Sequence, residues 1–464
     1  MSAARAQPRT RSRLPYRLEE LEHRGTARRV ILALAWPVMA EMALATVTQI
    51  VDMAMVGRLG PAAIASIGLS LQPLFFALSL FMGLAVGTTA LVARSVGAGK
   101  PEQAGEILRQ SLYAGVLMAV ALAAAAYHYA PQLLLLMGAE AEVVGLGTSY
   151  IRALVPGVVF MLTGAIVAAA LRGAGDTRTP MRVNVFLNVF NVLGNYTLIF
   201  GHFGFPALGV MGAAIATSVA RSAAGLILLG LCMSGRLRIR LTLRPFRIDL
   251  SIIRRVFRVG IPAALERVVM SLAQLFYVRV VAGLGTVVYA AHAISINAES
   301  ISFMPAMGFA TAATTLVGQS LGARRPEWAQ RAVVECLKTA GVFMGCMGVL
   351  FGMWPHWLMR IYTNAPEVIA MGRITLRVIA FAQLPMAAAY VIAGALRGAG
   401  DTRAVLAITA IGAWGVRLSL TLALVMQARL GLLGAWIAMA SDWCVRGVLC
   451  WIWYRRGAWM KTQV

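Results

Sequence analysis

The chain has 464 residues, 59% of them hydrophobic and only 13% charged, with a formal net charge of +24. No water-soluble domain of this length needs that much apolar mass, so composition excludes a soluble enzyme and points to a helical protein that crosses a bilayer many times. The arginines lie between apolar runs and not on one basic face, which argues against a nucleic-acid partner and for membrane topology.

Residues 1–29 are polar and Arg-rich, and are expected as a cytoplasmic N-terminal tail without a cleavable signal. A helix crosses the hydrocarbon with about 20 apolar residues. Apolar runs bounded by charges predict spans near 30–56, 62–93, 108–130, 147–170, 180–202 and 208–233, a first bundle over residues 30–233. Residues 234–255 are too charged to span; they form a basic cytoplasmic connector, either a solvated linker or a helix lying on anionic headgroups. Spans near 256–282, 288–320, 331–353, 368–395, 404–427 and 432–454 make a second bundle over 256–454, and 455–464 is a short cytoplasmic tail. Every even-numbered span is followed by arginines, such as Arg172, Arg178 and Arg182 or Arg324, Arg325 and Arg331. The loops between hold only Arg58, Arg360 and Arg429. The positive-inside rule then places both termini in the cytoplasm, and the expected location is a bacterial inner membrane.

The stretch Ala170-Leu171-Arg172-Gly173-Ala174-Gly175-Asp176-Thr177-Arg178 returns letter for letter as Ala395 to Arg403, 225 residues later. In the same register Pro37 and Glu41 fall on Pro262 and Glu266, and Ser95, Gly97, Pro101 and Glu102 on Ser320, Gly322, Pro326 and Glu327. Six spans per unit is an even number, so both units insert the same way round. The expected fold is an all-α integral membrane protein of twelve helices, in two six-helix bundles related by a parallel internal repeat, with the substrate path between them.

Ionisable groups inside spans are costly and therefore functional candidates. Asp52 lies about 33 Å along span one from Val30 at 1.5 Å per residue, toward the outer end. Away from water a carboxylate holds its proton more tightly, so this one is a candidate to bind a coupling ion outside and release it inside; pairing with Arg58 is the structural alternative. Glu41 sits three turns earlier on nearly the same face, and Glu266 is its repeat mate. Each follows a proline by four residues, Pro37 and Pro262, which frees a carbonyl and bends the axis. Glu41 and Glu266 could hold a cationic substrate or a proton, or act only as neutral helix locks; Glu299 is a further candidate of this kind. Asn184, Asn188, Asn191 and Asn195 fall on one stripe of span five, expected to face Asp52 or to serve as interhelical glue. Arg417, mid-span eleven, requires a partner that the sequence does not name. In the doubled loops, glycines allow tight turns and Asp176 and Asp401 can cap the next helix or pair with arginine; with Arg172 and Arg397 they are read as hinges or gate anchors.

Three stretches carry a resemblance: the doubled Leu171–Arg178 motif, Val51-Asp52-Met53-Ala54-Met55-Val56-Gly57-Arg58-Leu59-Gly60 at the end of span one, and Gly308 to Pro326 after span eight. Together they resemble the multidrug and toxic compound extrusion (MATE) family over about residues 30–455. The resemblance implies two lobes of six helices, a V-shaped cleft, and export of organic, often cationic, compounds driven by inward proton or sodium flow. It also implies cation coupling at Asp52, which matches the family's first-helix Asp. Where one branch carries a second Asp in helix five, Asn195 stands here. Met270 and Met386 stand where sodium-coupled members carry acids in helices seven and ten, which favours protons.

Gly97-Ala98-Gly99-Lys100 lacks the upstream glycine and the following Ser or Thr of a Walker motif, so ATP-driven pumping is not expected. The five histidines include no HExxH pattern, and the five cysteines no metal-ligand spacing, so neither an enzyme, a metal site nor an organic cofactor is expected. The 24 methionines suit a deformable cleft. The expected function is a monomeric secondary exporter of small organic, cationic compounds, an antiporter using H⁺ or Na⁺ by alternating access within the lipid bilayer. A lipid-linked precursor flippase is the alternative; the acids Glu41 and Glu266 make the cleft look anionic, which argues against it.

Overall fold

The computed structural model describes residues 18–242 and 246–462. Parts of the expected tails, 1–17 and 463–464, and Arg244 of the connector with its two neighbours lie outside the described residues. Among the described residues, twelve helices are long and apolar enough to cross a bilayer. They are α1 (Arg24–Gly57), α2 (Pro61–Gly97), α3 (Pro101–Leu136), α4 (Ala141–Gly173), α5 (Arg178–Phe200) and α6 (Gly209–Met233), then α7 (Leu250–Ala282), α8 (Thr286–Gly322), α9 (Pro326–Met353), α10 (Pro366–Ala399), α11 (Thr402–Gln427) and α12 (Gly431–Arg456). A short helix, Pro355–Arg360, precedes α10. Among the described residues there is no strand.

Local chemistry sets the helix ends. Pro61, Pro101, Pro326 and Pro366 each stand at a helix start, where the missing N–H costs nothing and φ is already helical. In the doubled motif Gly175 and Gly400 take φ of 87° and 86°, the left-handed turn that glycine adopts without a Cβ clash. Two positions earlier, side chains at Gly173 and Gly398 would strike the carbonyls of Thr89 and Thr314, so each copy of the motif lays α4 on α2, or α10 on α8, at backbone contact. The Asp176 carboxylate accepts from the Thr179 amide (2.9 Å) and hydroxyl (2.6 Å). Asp401 accepts from the Ala404 amide at 3.3 Å and the Trp453 indole at 2.8 Å.

The connector forms no interfacial helix at 236–242 or 246–249. Ile239 and Leu241 are buried in the first core, and Gln110 of α3 pins the backbone, donating to the Arg247 carbonyl (2.7 Å) and accepting from the Asp249 amide (3.0 Å). Asp249 caps α7, and the Ser251 hydroxyl and amide that donate to it hold its carboxyl below the usual carboxylate range.

The cores do not divide at the connector. Ala27, Val30, Ile31, Leu34 and Ala35 of α1 pack with α8, α9 and α10, while Ile252, Val256 and Val259 of α7 pack with α2, α3 and α4. The first half of each unit's first helix thus crosses into the other unit. Two glycines permit the crossings. Gly83 of α2 abuts Gly260 of α7, and Gly308 of α8 abuts Ala35 and Met39 of α1; both contacts obey the 225-residue register.

Hydrogen bonds tie the lobes where the doubled loops lie. Arg94 of α2 donates to the Ala399 carbonyl at 2.9 Å. Gln319, its repeat mate on α8, donates to the Gly173 carbonyl at 2.9 Å, and Thr315 to the Arg172 carbonyl at 2.9 Å. Farther along, α1 loses its cover: Ile31 is 0% exposed and Ile50 63%.

Gly394 packs on the Ala310 carbonyl, whereas a Cβ added at Gly230 would meet nothing within 4 Å. Gly394→Val is expected to cost about 1–3 kcal/mol through overpacking, read as a lower melting temperature in detergent. Gly230→Ala should leave it unchanged or raise it, because alanine gains roughly 0.5–1 kcal/mol over glycine in a helix.

Candidate functional site

Small residues on α4 and α6 let those helices pack at backbone contact. Gly164 packs directly on Gly225, and beside that contact Ala165, Ala168, Ala220 and Ala224 line a cavity of about 500 Å³. Helices α1, α2, α4, α5 and α6 all line it, so this cavity lies inside the first lobe. Its polar wall is the asparagine stripe, Asn184, Asn188, Asn191 and Asn195, facing Glu41, Thr48, Gln49 and Asp52 of α1.

The stripe serves both acids. Asn195 Nδ2 donates to Asp52 Oδ1 at 2.6 Å. The Asn191 amide, in the orientation its neighbours require, donates to Asp52 Oδ2 at 3.2 Å and accepts from Thr217 Oγ1 at 3.2 Å. Arg58 forms no ion pair with Asp52 among the described residues. Three turns away, Asn184 donates to Glu41 Oε1 at 2.7 Å, and Arg172 reaches both Glu41 oxygens at 2.9 and 3.1 Å. Asn188 lines the wall between the two acids. The remaining charge is Arg221 of α6. Its guanidinium lies against Met161 Sδ at 2.5 Å, and no carboxylate stands within ion-pair distance among the described residues. The wall therefore carries two acids and two arginines, so the expected anionic character is cancelled.

The second lobe repeats one half of this arrangement and replaces the other. Glu266 accepts from Arg397 at 2.6 Å and from Thr409, the repeat mate of Asn184, at 3.3 Å. Pro37 and Pro262 are buried inside α1 and α7, one turn before these glutamates. Glu41 and Glu266 are each matched by the arginine of their own lobe's motif. At the position of Asp52 stands Tyr277, and at that of Thr217 stands Asp442. Asp442 is the partner of Arg417, 2.8 Å away, and also binds Arg446 at 2.5 Å. Arg417 donates further to Gln274 at 3.1 Å, and Arg446 lies over the Trp443 ring at 5.1 Å. Arg417 belongs to a π-helical stretch, Ile411–Leu418, a rare geometry that recurs at functional positions. Glu299 is buried (7% exposed), and no side chain among the described residues hydrogen-bonds its carboxyl group.

Sequence reasoning misses Arg221, Asp442 and Arg446. A signal existed: Arg221 and Arg446 are repeat mates, two arginines at matching depth in otherwise apolar helices.

The MatE family model matches residues 37–197 and 262–422, two stretches that start 225 positions apart. The chain is 32% identical to "Probable multidrug resistance protein NorM" of Thermotoga maritima, over 94% of either chain. It is 31% identical to the protein of the same description in Mesorhizobium japonicum, over 96% of each. Among solved structures, "Crystal structure of MATE in the straight conformation" superposes with a TM-score of 0.87 at 25% identity, covering 96% of this chain and 99% of that one. "Outward-facing conformation of a multidrug resistance MATE family transporter of the MOP superfamily" shares the fold at a TM-score of 0.87 and 24% identity, with the same coverage.

Asp442→Asn leaves two buried guanidinium groups without a counter-ion and is expected to cost about 3–5 kcal/mol, read as a marked fall in melting temperature. Adding Arg446→Gln should recover part of that loss.

Proposed function

The chain belongs to the MatE family of multidrug efflux transporters, and on that footing we propose that it is a monomeric antiporter exporting organic, cationic compounds against inward proton flow. The family consists of membrane transporters, not enzymes. The observation that carries the coupling is the setting of Asp52. Among the described residues it is met only by the amide groups of Asn191 and Asn195, while each of the other acids in an ion pair is matched by arginine. An acid without a fixed counter-ion can change its charge without stranding a partner. Both amides turn N–H donors toward it, whereas sodium would need several oxygen ligands, so a proton fits better.

Export then follows from exclusion. Asp52 serves either the substrate's cationic group or a proton, and uptake of a proton from outside releases the substrate. With Glu41 matched by Arg172, affinity comes mainly from the apolar wall of Met53, Met82, Met161 and its neighbours, which suits many shapes. The arginine-rich ends are closed, and the positive-inside rule assigns them to the cytoplasm of the inner membrane, which makes this state outward-facing. Pro37 and Pro262 serve as hinges. Arg172, Asp176, Arg397 and Asp401 anchor the gate, Glu41, Glu266 and Arg417 lock the helices of their own lobes through ion pairs, and Glu299 is a further candidate proton site. A lipid-linked precursor flippase is the second reading, favoured by the cancelled charge of the cavity.

In proteoliposomes an imposed proton gradient should drive ethidium transport, and a sodium gradient alone should not. The reverse result would overturn the proton assignment, and headgroup movement without dye transport would establish the flippase. Asp52→Asn should cut gradient-driven transport by at least about tenfold, roughly 1.4 kcal/mol, while the protein still elutes as a folded monomer. Export at the wild-type rate would remove Asp52 from the mechanism.

A further inference from the structure

On its outer surface the second lobe carries a groove between α10 and α12. Ile374, Val378 and Phe381 form one wall, and Ile437, Ser441 and Val445 the other. One charged residue, Arg377, stands in it, and Arg373 lies one helical turn before, also exposed. Neither guanidinium has a hydrogen-bond or ion-pair partner among the described residues. The repeat mate of Arg377 behaves differently: Arg152 donates to the Tyr127 carbonyl at 3.4 Å and sits 5.1 Å from that ring's centre. An arginine left facing hydrocarbon without a partner is expensive, so its counter-ion must come from outside the chain.

Depth identifies that counter-ion. Arg377 precedes Ala399, at the tied end of the lobes, by 22 positions (399 − 377), about 33 Å of helix against a hydrocarbon core of about 30 Å. It therefore lies at the opposite boundary of the hydrocarbon. The exposed Trp354, Trp357 and Tyr362 form an aromatic belt there, and Met359 packed on Gly372 sets that belt level with Arg373. Lipid phosphates occupy this level, and both arginine stems are long enough to reach up to them. Below Arg377 the groove continues inward as apolar surface along Phe381 and Val445, because α10 and α12 run in the same direction.

We propose that this groove holds one anionic phospholipid of that leaflet, with its phosphate on Arg377 and Arg373 and an acyl chain along Phe381 and Val445. The site is independent of the transport cavity, which lies in the other lobe.

The test is native mass spectrometry of the whole protein released from nanodiscs containing phosphatidylglycerol and phosphatidylcholine. Wild type should retain phosphatidylglycerol preferentially. Arg373→Gln with Arg377→Gln should weaken that retention by about fivefold per arginine, with phosphatidylcholine unaffected. Ser441→Trp, which fills the groove and leaves both charges, should expel the lipid as well. Phosphatidylglycerol retained equally by all three proteins would overturn the proposal, as would loss of both lipids alike from the arginine variant. Displacement of phosphatidylglycerol by inorganic phosphate alone would also overturn it, because the site would then read an anion and not a lipid.

Discussion

A charge held inside hydrocarbon must be matched, and that requirement organises this molecule more than any other. Glu41 with Arg172, Glu266 with Arg397, and Asp442 with Arg417 and Arg446 meet it through ion pairs. The first pair also shares a residue with the hydrogen bonds that tie the lobes. Arg172 holds Glu41 through its side chain while its carbonyl accepts from Thr315 of the other lobe. What happens at an acid in the cavity is therefore one residue away from the contact that keeps the lobes together. Asp52 meets the requirement differently, through neutral amides, which leaves its own charge as the adjustable quantity.

Duplication supplied a common scaffold, and substitution then gave each half its own chemistry. The motif glycines, the prolines of α1 and α7 and the glutamate–arginine pairs coincide in the 225-residue register. The interiors do not. Tyr277 replaces Asp52, Asp442 replaces Thr217, and Leu420 replaces Asn195. Two segments of α11 are π-helical where its mate α5 is regular α-helix. One half is arranged around a carboxylate among amides, the other around a carboxylate clamped by two guanidinium groups.

Much of this is legible in the sequence because it depends on short-range patterns. Apolar runs mark twelve spans, prolines mark helix starts, and the spacing of Asn184, Asn188, Asn191 and Asn195 puts them on one face. The repeat pairs Glu41 with Glu266. Contacts between helices distant in sequence are not legible. Nothing near Arg417 in the chain names Asp442, and nothing near Glu41 names Arg172, although each arginine stands out singly. The pairing of Arg172 with Glu41 changes the charge of the cavity, so the anionic cleft inferred from the acids alone does not hold. The position of the cavity is hidden for a related reason: it depends on alanines and glycines of α4 and α6 lying opposite each other, which a single helix's periodicity does not reveal.

The crossing of α1 and α7 makes the two halves structurally dependent on each other. Each half lends the opening turns of its first helix to its sibling, the arrangement of an arm-exchanged homodimer fused into one polypeptide. Neither half therefore completes its own core, and each is finished by a segment that the other supplies. Cleaved at the connector, each fragment would carry a vacancy shaped for the other's leading segment.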